Sequence, residues 1–262
     1  MSELNVLFRT RIGISENEKI TFETLDHVLE KTALAIPFEN LGIIQNKTQE
    51  ISKEHLLNKL LLNNEGGLCY ELNSMLYFFL VENGFDAVLA SGVVYDHAAQ
   101  TYQNTGRTHV TILVTHQEQT YLVDTGFGGN LPLKPVPLTG ETVTSWNGEF
   151  RIGKVDCEYG DYALEIKLKH KDTDWRTGYA FYTKKPTMNI TELNEIQTII
   201  TSHDSSPFNK HPLITKLTTK GNSTLTNASF TQWDNGIVTK EEIDDTRFID
   251  LLRQHFGLTS FP

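Results

Sequence analysis

The residue with the clearest capacity for chemistry in this 262-residue chain is Cys69. It follows Gly66-Gly67-Leu68 at the predicted start of a helix, where unpaired backbone amides and the helix dipole favour an anion. Both features favour the thiolate, which is the nucleophilic form of cysteine. A lone cysteine is often a small buried apolar side chain instead, so this segment leaves both interpretations open.

A histidine and an aspartate further along the chain could supply the base that a nucleophile needs. Residues 109–114 and 119–124 have the pattern of a hairpin, and a turn at His116-Gln117 would place His109 directly opposite Asp124. Cross-strand neighbours have Cβ atoms about 5 Å apart, so the carboxylate can orient the imidazole and leave its other nitrogen to accept a proton. A surface ion pair fits the same spacing, and the spacing does not place the cysteine beside it.

The glycine-rich residues 125–130 follow directly and offer many backbone donors. They could cradle a phosphate or a cofactor, although such a loop more often only turns the chain. They do not match a Walker A or a dinucleotide fingerprint. The second cysteine, Cys157, lies in a polar stretch, and we expect it to be inert.

The elements that must position these residues fall into three regions, of which the first is helical. Apolar residues at helical spacing predict helices from Thr21 to Pro37, from Ser52 to the Asn63-Asn64 pair, and from Cys69 to Gly84. The third of these helices would carry the cysteine at its first turn.

The middle region is predicted to form a mainly antiparallel sheet or a small barrel. Its strands are expected at 88–95, 109–114, 121–127, 164–168 and 179–182. The last third mixes a helix around residues 190–200 with a short β stretch. A C-terminal helix is predicted to begin at Thr239, with Glu242 in capping-box spacing, and to end at Gly257.

Composition excludes several classes of partner. The formal charge of −10 opposes binding to nucleic acid or to an anionic membrane surface. Two cysteines are too few for a disulfide framework or a zinc cluster, which indicates a reducing, cytoplasmic location without a metal. No run approaches the ~20 apolar residues of a membrane span.

Six motifs are spread over nearly the whole chain: FRTRIG (8–13), IPFENL (36–41), GGLCYELN (66–73), TGRTH (105–109), VDTGFG (123–128) and SSPF (205–208). Together they resemble those of the arylamine N-acetyltransferases. The resemblance implies an α+β fold with a papain-like or transglutaminase-like cysteine-enzyme core. Its parts would be an N-terminal helical bundle (1–85), a central antiparallel β-barrel (86–188) and a C-terminal α/β lid (189–262).

The resemblance also implies a Cys-His-Asp triad. Cys69 would accept the acetyl group, His109 would generate the thiolate, and Asp124 would orient the histidine. In the implied ping-pong cycle acetyl-CoA acylates the cysteine, and an aromatic amine, a hydrazine or an N-hydroxyarylamine then attacks the thioester. Such an enzyme would take part in the metabolism of foreign compounds.

Further contacts are implied beside the triad. Acetyl-CoA, the co-substrate, would be bound by two short segments flanking the histidine and the aspartate, namely Thr105, Gly106, Phe127, Gly128 and Gly129. The acceptor amine would contact Thr108 and Phe38.

One departure from the family motif is Glu65, which stands where relatives commonly have arginine before the two glycines. An acid there would disfavour the thiolate if it pointed at the sulfur, so we expect Glu65 to point away or to pair with a cation. Two alternatives stay open. One is a related amide synthase, acyl-hydrolase or transglutaminase with the same triad, and the other is a non-catalytic binding protein.

Overall fold

The structure, a computed structural model, describes residues 1–184 and 188–259. Its α-helices are α1 (Glu3–Ile12), α2 (Leu25–Ala35), α3 (Leu41–Ile44), α4 (Lys53–Leu56), α5 (Cys69–Glu82), α6 (Ile190–Ser202) and α7 (Asp245–Leu251). Single 3-10 turns cover Phe22–Thr24 and Pro207–Asn209, and π-helical turns extend α4 and α7 over Leu57–Leu62 and Leu252–Phe256.

The fourteen strands of the described residues are numbered in chain order. They are β1 (Phe38–Glu39), β2 (Asp86–Asp96), β3 (Thr101–Tyr102), β4 (His109–His116), β5 (Gln119–Val123), β6 (Val136–Pro137), β7 (Val143–Ser145), β8 (Gly148–Cys157), β9 (Gly160–Leu168), β10 (Arg176–Phe181), β11 (Leu213–Thr218), β12 (Gly221–Thr226), β13 (Ser229–Asp234) and β14 (Ile237–Glu242).

The three helices predicted for the first region are present. The Ser52 side chain accepts a hydrogen bond from the His55 amide and so begins α4, and Gly84 follows the end of α5 with φ +85°. Helix α1 was not predicted, because buried polar residues interrupt its apolar pattern. Arg9 lies in the core and donates to Asn5 Oδ1 over 2.7 Å.

The middle region is an antiparallel sheet that curls into a nearly closed barrel. Its strands run in the order β6-β5-β4-β2-β10-β9-β8-β7, with β3 beside β2, and β6 also approaches β8. Apolar side chains fill the interior, among them Leu122, Phe150, Leu164 and Phe181. The α+β fold with a barrel at its centre is therefore confirmed, and helix α5 packs across strands β2 and β4.

The predicted strand over residues 121–127 ends earlier than expected, at Val123, so Asp124 begins a loop. Strand β8 was not predicted. Buried and partly exposed side chains alternate along it, so that Arg151 lies between the buried Phe150 and Ile152. The strand therefore has no continuous run of apolar residues by which to recognise it.

The last region contains a five-stranded antiparallel sheet in the order β1-β11-β12-β13-β14, packed against α7. Its first strand comes from residues 38 and 39, so the first and last regions share one sheet. The three domain boundaries stay a prediction, and residues 185–187 and 260–262 within them lie outside the described residues.

The predicted start of the C-terminal helix at Thr239 was wrong. Thr239 pairs with Gln232 in a hairpin that turns at Asn235-Gly236, where both residues have positive φ. The helix begins after Asp244, whose side chain accepts from the Arg247 amide over 2.8 Å. Its predicted end is confirmed, since Gly257 caps it with φ +69°.

Candidate active site

Cys69 is the first residue of α5, and tight packing fixes the loop before it. A Cβ on Gly66 would lie 2.2 Å from the Pro37 carbonyl oxygen, so only glycine fits there. The Gly67 carbonyl accepts from the Glu39 amide over 3.0 Å. The cysteine Sγ points to the Thr108 carbonyl, 3.5 Å away, and is 6% exposed. The helix thus delivers the sulfur to the residue before His109.

His109 and Asp124 form a buried pair. His109 Nε2 lies 2.8 Å from Asp124 Oδ2, and both side chains are almost fully enclosed. The charge of Cys69 also acts on the histidine, and because Nε2 faces the carboxylate, Nδ1 is the nitrogen left for the sulfur. The structure therefore brings together the three residues predicted as a triad.

The predicted hairpin register, however, was wrong by two residues. Strand β4 pairs with β5 so that His116 faces Gln119 and Ile112 faces Val123. The turn is Gln117-Glu118, with φ +47° and +65°, as a two-residue type I′ turn requires. Side chains alternate with a period of two, so a shift of two keeps both members of the pair on one face. They meet diagonally instead of directly across.

The electrostatics of the pair favour opposite charges on its two members. Burial alone would lower the pKa of His109, but the charges of Asp124 and Cys69 and hydrogen bonds to both raise it to about 10. Burial alone would raise the pKa of Asp124, but the charge of His109 and several hydrogen bonds lower it. An imidazolium held in this way can stabilise a thiolate at the sulfur.

Two residues without a predicted role complete the surroundings of the carboxylate. Asn73 donates to Asp124 Oδ1 over 2.8 Å, and the Tyr179 hydroxyl donates to Oδ2 over 2.7 Å. Asn73 stands four residues after Cys69, and this spacing could have indicated a shared helix face. Tyr179 comes from β10, which no local pattern links to the site.

The residues predicted to bind acetyl-CoA border the same site. Thr105 and Gly106 form the turn before β4, where Gly106 has φ +69°. The Phe127 ring stands edge-on to His109, with centroids 5.1 Å apart. Gly128 follows with φ +59°, and a Cβ on Gly129 would meet nothing closer than 3.7 Å.

The two residues predicted to contact the acceptor also lie here. Thr108 is buried directly before His109, and its hydroxyl donates to Thr105 over 3.3 Å. Phe38 forms a bridge with Gly67, and its ring meets Phe208 edge-on at 5.6 Å. Aromatic rings therefore lie beside the cysteine loop and beside His109.

Two further features of the described residues concern a metal site and a membrane-spanning helix. Over residues 1–184 and 188–259, no group of histidine, cysteine and acidic side chains has the arrangement of a metal site. In the same part of the chain, every helix is too short or too polar to cross a lipid bilayer.

Comparisons with known proteins agree with this geometry. The sequence model of the N-acetyltransferase family matches residues 21–260. The chain is 39% identical over 242 residues to the uncharacterized acetyltransferase YvcN of Bacillus subtilis, which covers 92% of this chain and 93% of that protein.

Two solved structures are similar over nearly their whole length. An arylamine N-acetyltransferase of Bacillus cereus with a Cys-His-Glu catalytic triad is 42% identical, with a TM-score of 0.93 over 99% of this chain and 100% of that one. The Mycobacterium marinum arylamine N-acetyltransferase in complex with CoA is 26% identical, with a TM-score of 0.84 over 97% and 92% of the two chains. The chain belongs to the arylamine N-acetyltransferase family of transferases.

Proposed function

We propose that the protein moves an acetyl group from acetyl-CoA to aromatic amines, hydrazines or N-hydroxyarylamines through a thioester on Cys69. The observation that carries the proposal is that Asp124 is hydrogen-bonded to His109 and that the Cys69 sulfur at the start of α5 acts on the same histidine and contacts the residue before it. A related enzyme is known in complex with CoA, which supports acetyl-CoA as the donor.

In the first half of the cycle, the Cys69 thiolate attacks the carbonyl carbon of the acetyl thioester. The bond from that carbon to the CoA sulfur breaks, and the imidazolium of His109 supplies a proton to the departing thiolate. Asp124 holds the imidazole in orientation and stabilises its charge throughout.

In the second half, an amine attacks the acetyl carbon of the Cys69 thioester. His109, now neutral, accepts the proton that the amine loses, and the cysteine leaves as a thiolate that restores the starting pair. Phe38 and Phe127, whose rings border the site, would pack against an aromatic acceptor. Cysteine suits both halves, because it is a good nucleophile and a good leaving group.

For the donor, we propose that the turn at Thr105-Gly106 and the loop Phe127 to Gly129 contact CoA. The support is their position on either side of His109 and the open space beside Gly106, where an added Cβ would meet no atom within 4 Å. We also propose a cytoplasmic location, in keeping with the unpaired state of Cys69 and Cys157.

The test is a screen of acceptors with acetyl-CoA in which free CoA is measured for each amine. We expect CoA release to depend on an aromatic amine or hydrazine and to be absent in Cys69→Ser. Release at the same rate without any amine would identify an acyl-hydrolase. Labelling of the cysteine without turnover of any aromatic acceptor would favour a different acceptor, as in an amide synthase.

A further inference from the structure

Two buried glutamates pack against the loop that leads to Cys69, residues 65–68. Glu39 and Glu71 are 2% and 4% exposed. A Cβ on Gly66 would lie 2.7 Å from Glu39 Cγ, and a Cβ on Gly67 would lie 2.8 Å from Glu71 Oε2. The loop therefore packs tightly against both acidic side chains.

Both carboxylates also hold backbone amides near the loop. Glu71 Oε2 accepts from the Leu68 amide over 3.0 Å, one residue before the nucleophile. Glu39 Oε2 accepts from the Leu41 amide. Any displacement of Glu71 would move the first turn of the helix that carries the sulfur.

The side chain of Lys59 lies close to both carboxylates. Lys59 Nζ stands 2.5 Å from Glu71 Oε1 and 3.9 Å from Glu39 Oε1, and its side chain is 12% exposed. Its own carbonyl accepts from the Glu65 amide over 3.0 Å, at the start of the loop. Lys59 thus contacts the loop through its backbone, and it contacts Glu39 and Glu71 through its side chain.

The balance of charge around Lys59 is acidic. Burial alone would lower its pKa, but Glu71 and Glu39 raise it, so the ammonium persists. Burial raises the pKa of Glu39, which Lys59 opposes. Glu65 adds further negative charge, and His55 lies within range of the same cluster. Removal of one partner from a buried pair leaves an uncompensated charge, which is strongly destabilising.

We propose that Lys59 is a positioning residue for the transferase reaction, because it neutralises Glu39 and Glu71 and so holds the Cys69 loop in its reactive geometry. The inference rests on the proposed function in that it takes Cys69 as the nucleophile. Lys59 itself touches neither substrate nor the reacting atoms.

The test removes the ammonium with Lys59→Met and measures two reactions of Cys69 by intact-protein mass spectrometry at pH 7: acetylation by acetyl-CoA and alkylation by iodoacetamide. Both rates should fall about ten- to a hundredfold, the loss expected when a reacting group is displaced by about 1 Å. In steady-state assays kcat should fall much more than KM for acetyl-CoA changes. Lys59→Arg should restore most of the rate.

A matched control is Lys53→Met on α4, because Lys53 pairs with Glu82 over 2.7 Å at the surface, away from the loop. This variant should react at the wild-type rate. Equal losses in Lys53→Met and Lys59→Met would overturn the inference.

The double variant Lys59→Met/Glu71→Gln keeps the test valid if Lys59→Met fails to fold. The glutamine oxygen can still accept from the Leu68 amide, while one buried negative charge is gone. We expect the double variant to fold and to regain Cys69 reactivity to within about threefold of wild type, because the effects of replacing two residues in direct contact do not add. The inference would be overturned by a folded double variant in which Cys69 reacts about ten- to a hundredfold more slowly than in wild type, the loss expected for a displaced reacting group.

The two reactions separate this inference from the proposed function. If the wild type is alkylated but never acetylated, the acetyl transfer fails, while the alkylation series still tests Lys59. If the wild type is acetylated and Lys59→Met reacts at the same rate in both assays, the positioning role is wrong and the transferase proposal stands.

Discussion

Asn73 joins helix α5, which begins at Cys69, to the carboxylate of Asp124. Its Nδ2 donates to Asp124 Oδ1 over 2.8 Å and to the Val110 carbonyl over 2.7 Å, while its Oδ1 accepts from the Thr125 amide over 2.9 Å. The side chain is fully buried. One amide group therefore fixes α5, β4 and the loop after β5 relative to each other.

Replacement of Asn73 by Ala should reduce both stability and acetyl transfer. Several buried partners would lose their hydrogen bonds, at about 1–3 kcal/mol for each group left unsatisfied. Chemical denaturation and the rate of Cys69 acetylation measure the two effects. The matched control is Asn58→Ala, in the π-helical turn after α4. If Asn73→Ala equalled that control in both measurements, the joining role would be wrong.

Asp124→Asn should lower the rate of Cys69 acetylation by several orders of magnitude, about 10⁴-fold where a triad carboxylate has been replaced in this way in other enzymes. An amide cannot stabilise the imidazolium, and its NH2 group favours the wrong tautomer of the imidazole. Asp124→Glu is the informative partner, because a related enzyme has a Cys-His-Glu triad. We expect the glutamate variant to keep more activity than the asparagine variant, and the reverse order would contradict this account of the carboxylate.

Gly126→Ala should disable the site through a direct clash. The added Cβ would lie 2.6 Å from Cys69 Cα and 2.8 Å from Asn73 Nδ2, so Cys69 must shift. Gly153→Ala on β8 is the control, since its nearest neighbours are the Glu165 carboxyl atoms at 3.4 Å or more. Acetylation should fall at least about a hundredfold in Gly126→Ala, as for a displaced reacting group, and stay near wild type in Gly153→Ala. Equal rates in the two variants would mean that the close approach has no catalytic consequence.

The stability of the buried pair should depend on pH in a defined direction. The pKa of His109 is raised from 6.5 to about 10 on folding. A group whose pKa is higher in the folded state stabilises the fold fully at pH values below its pKa in the unfolded state. This contribution is lost as the pH rises through the pKa of the folded state. Wild type should therefore have a higher free energy of unfolding than His109→Gln at low pH, and this difference should shrink between pH 6.5 and about 10.

Urea denaturation at a series of pH values measures this difference. The exposed His27 on α2, whose side chain is 47% exposed, provides the control variant His27→Gln. Because the side chain is exposed, its replacement should change the free energy of unfolding by less than about 0.5 kcal/mol. A wild-type advantage over His109→Gln that grows with pH would show that the histidine is held neutral.

Local signals predicted much of the helical region and the pairing of His109 with Asp124, whereas only the family resemblance linked that pair to Cys69. Ser52, Gly84 and Gly257 marked helix ends correctly, because caps and breakers act within a few residues of the chain. The hairpin pattern placed His109 and Asp124 on one face even with the wrong register, since a shift of two preserves the face.

The errors have equally specific causes. At Thr239 the capping pattern competed with the Asn235-Gly236 turn, and the turn prevailed because two strands pair across it. Tyr179 and Lys59 reach the site only through tertiary packing, from a distant strand and from the turn after α4. No spacing in the sequence could indicate such contacts.

The most direct test of the central claim is the intact mass of the protein after incubation with acetyl-CoA alone. Wild type and Cys157→Ser should each gain one acetyl group, and Cys69→Ser should gain none. Subsequent addition of an aromatic amine should return the wild-type mass to its starting value with formation of the acetylated amine. An acetyl group on Cys69→Ser, or a wild type that never gains one, would contradict the account.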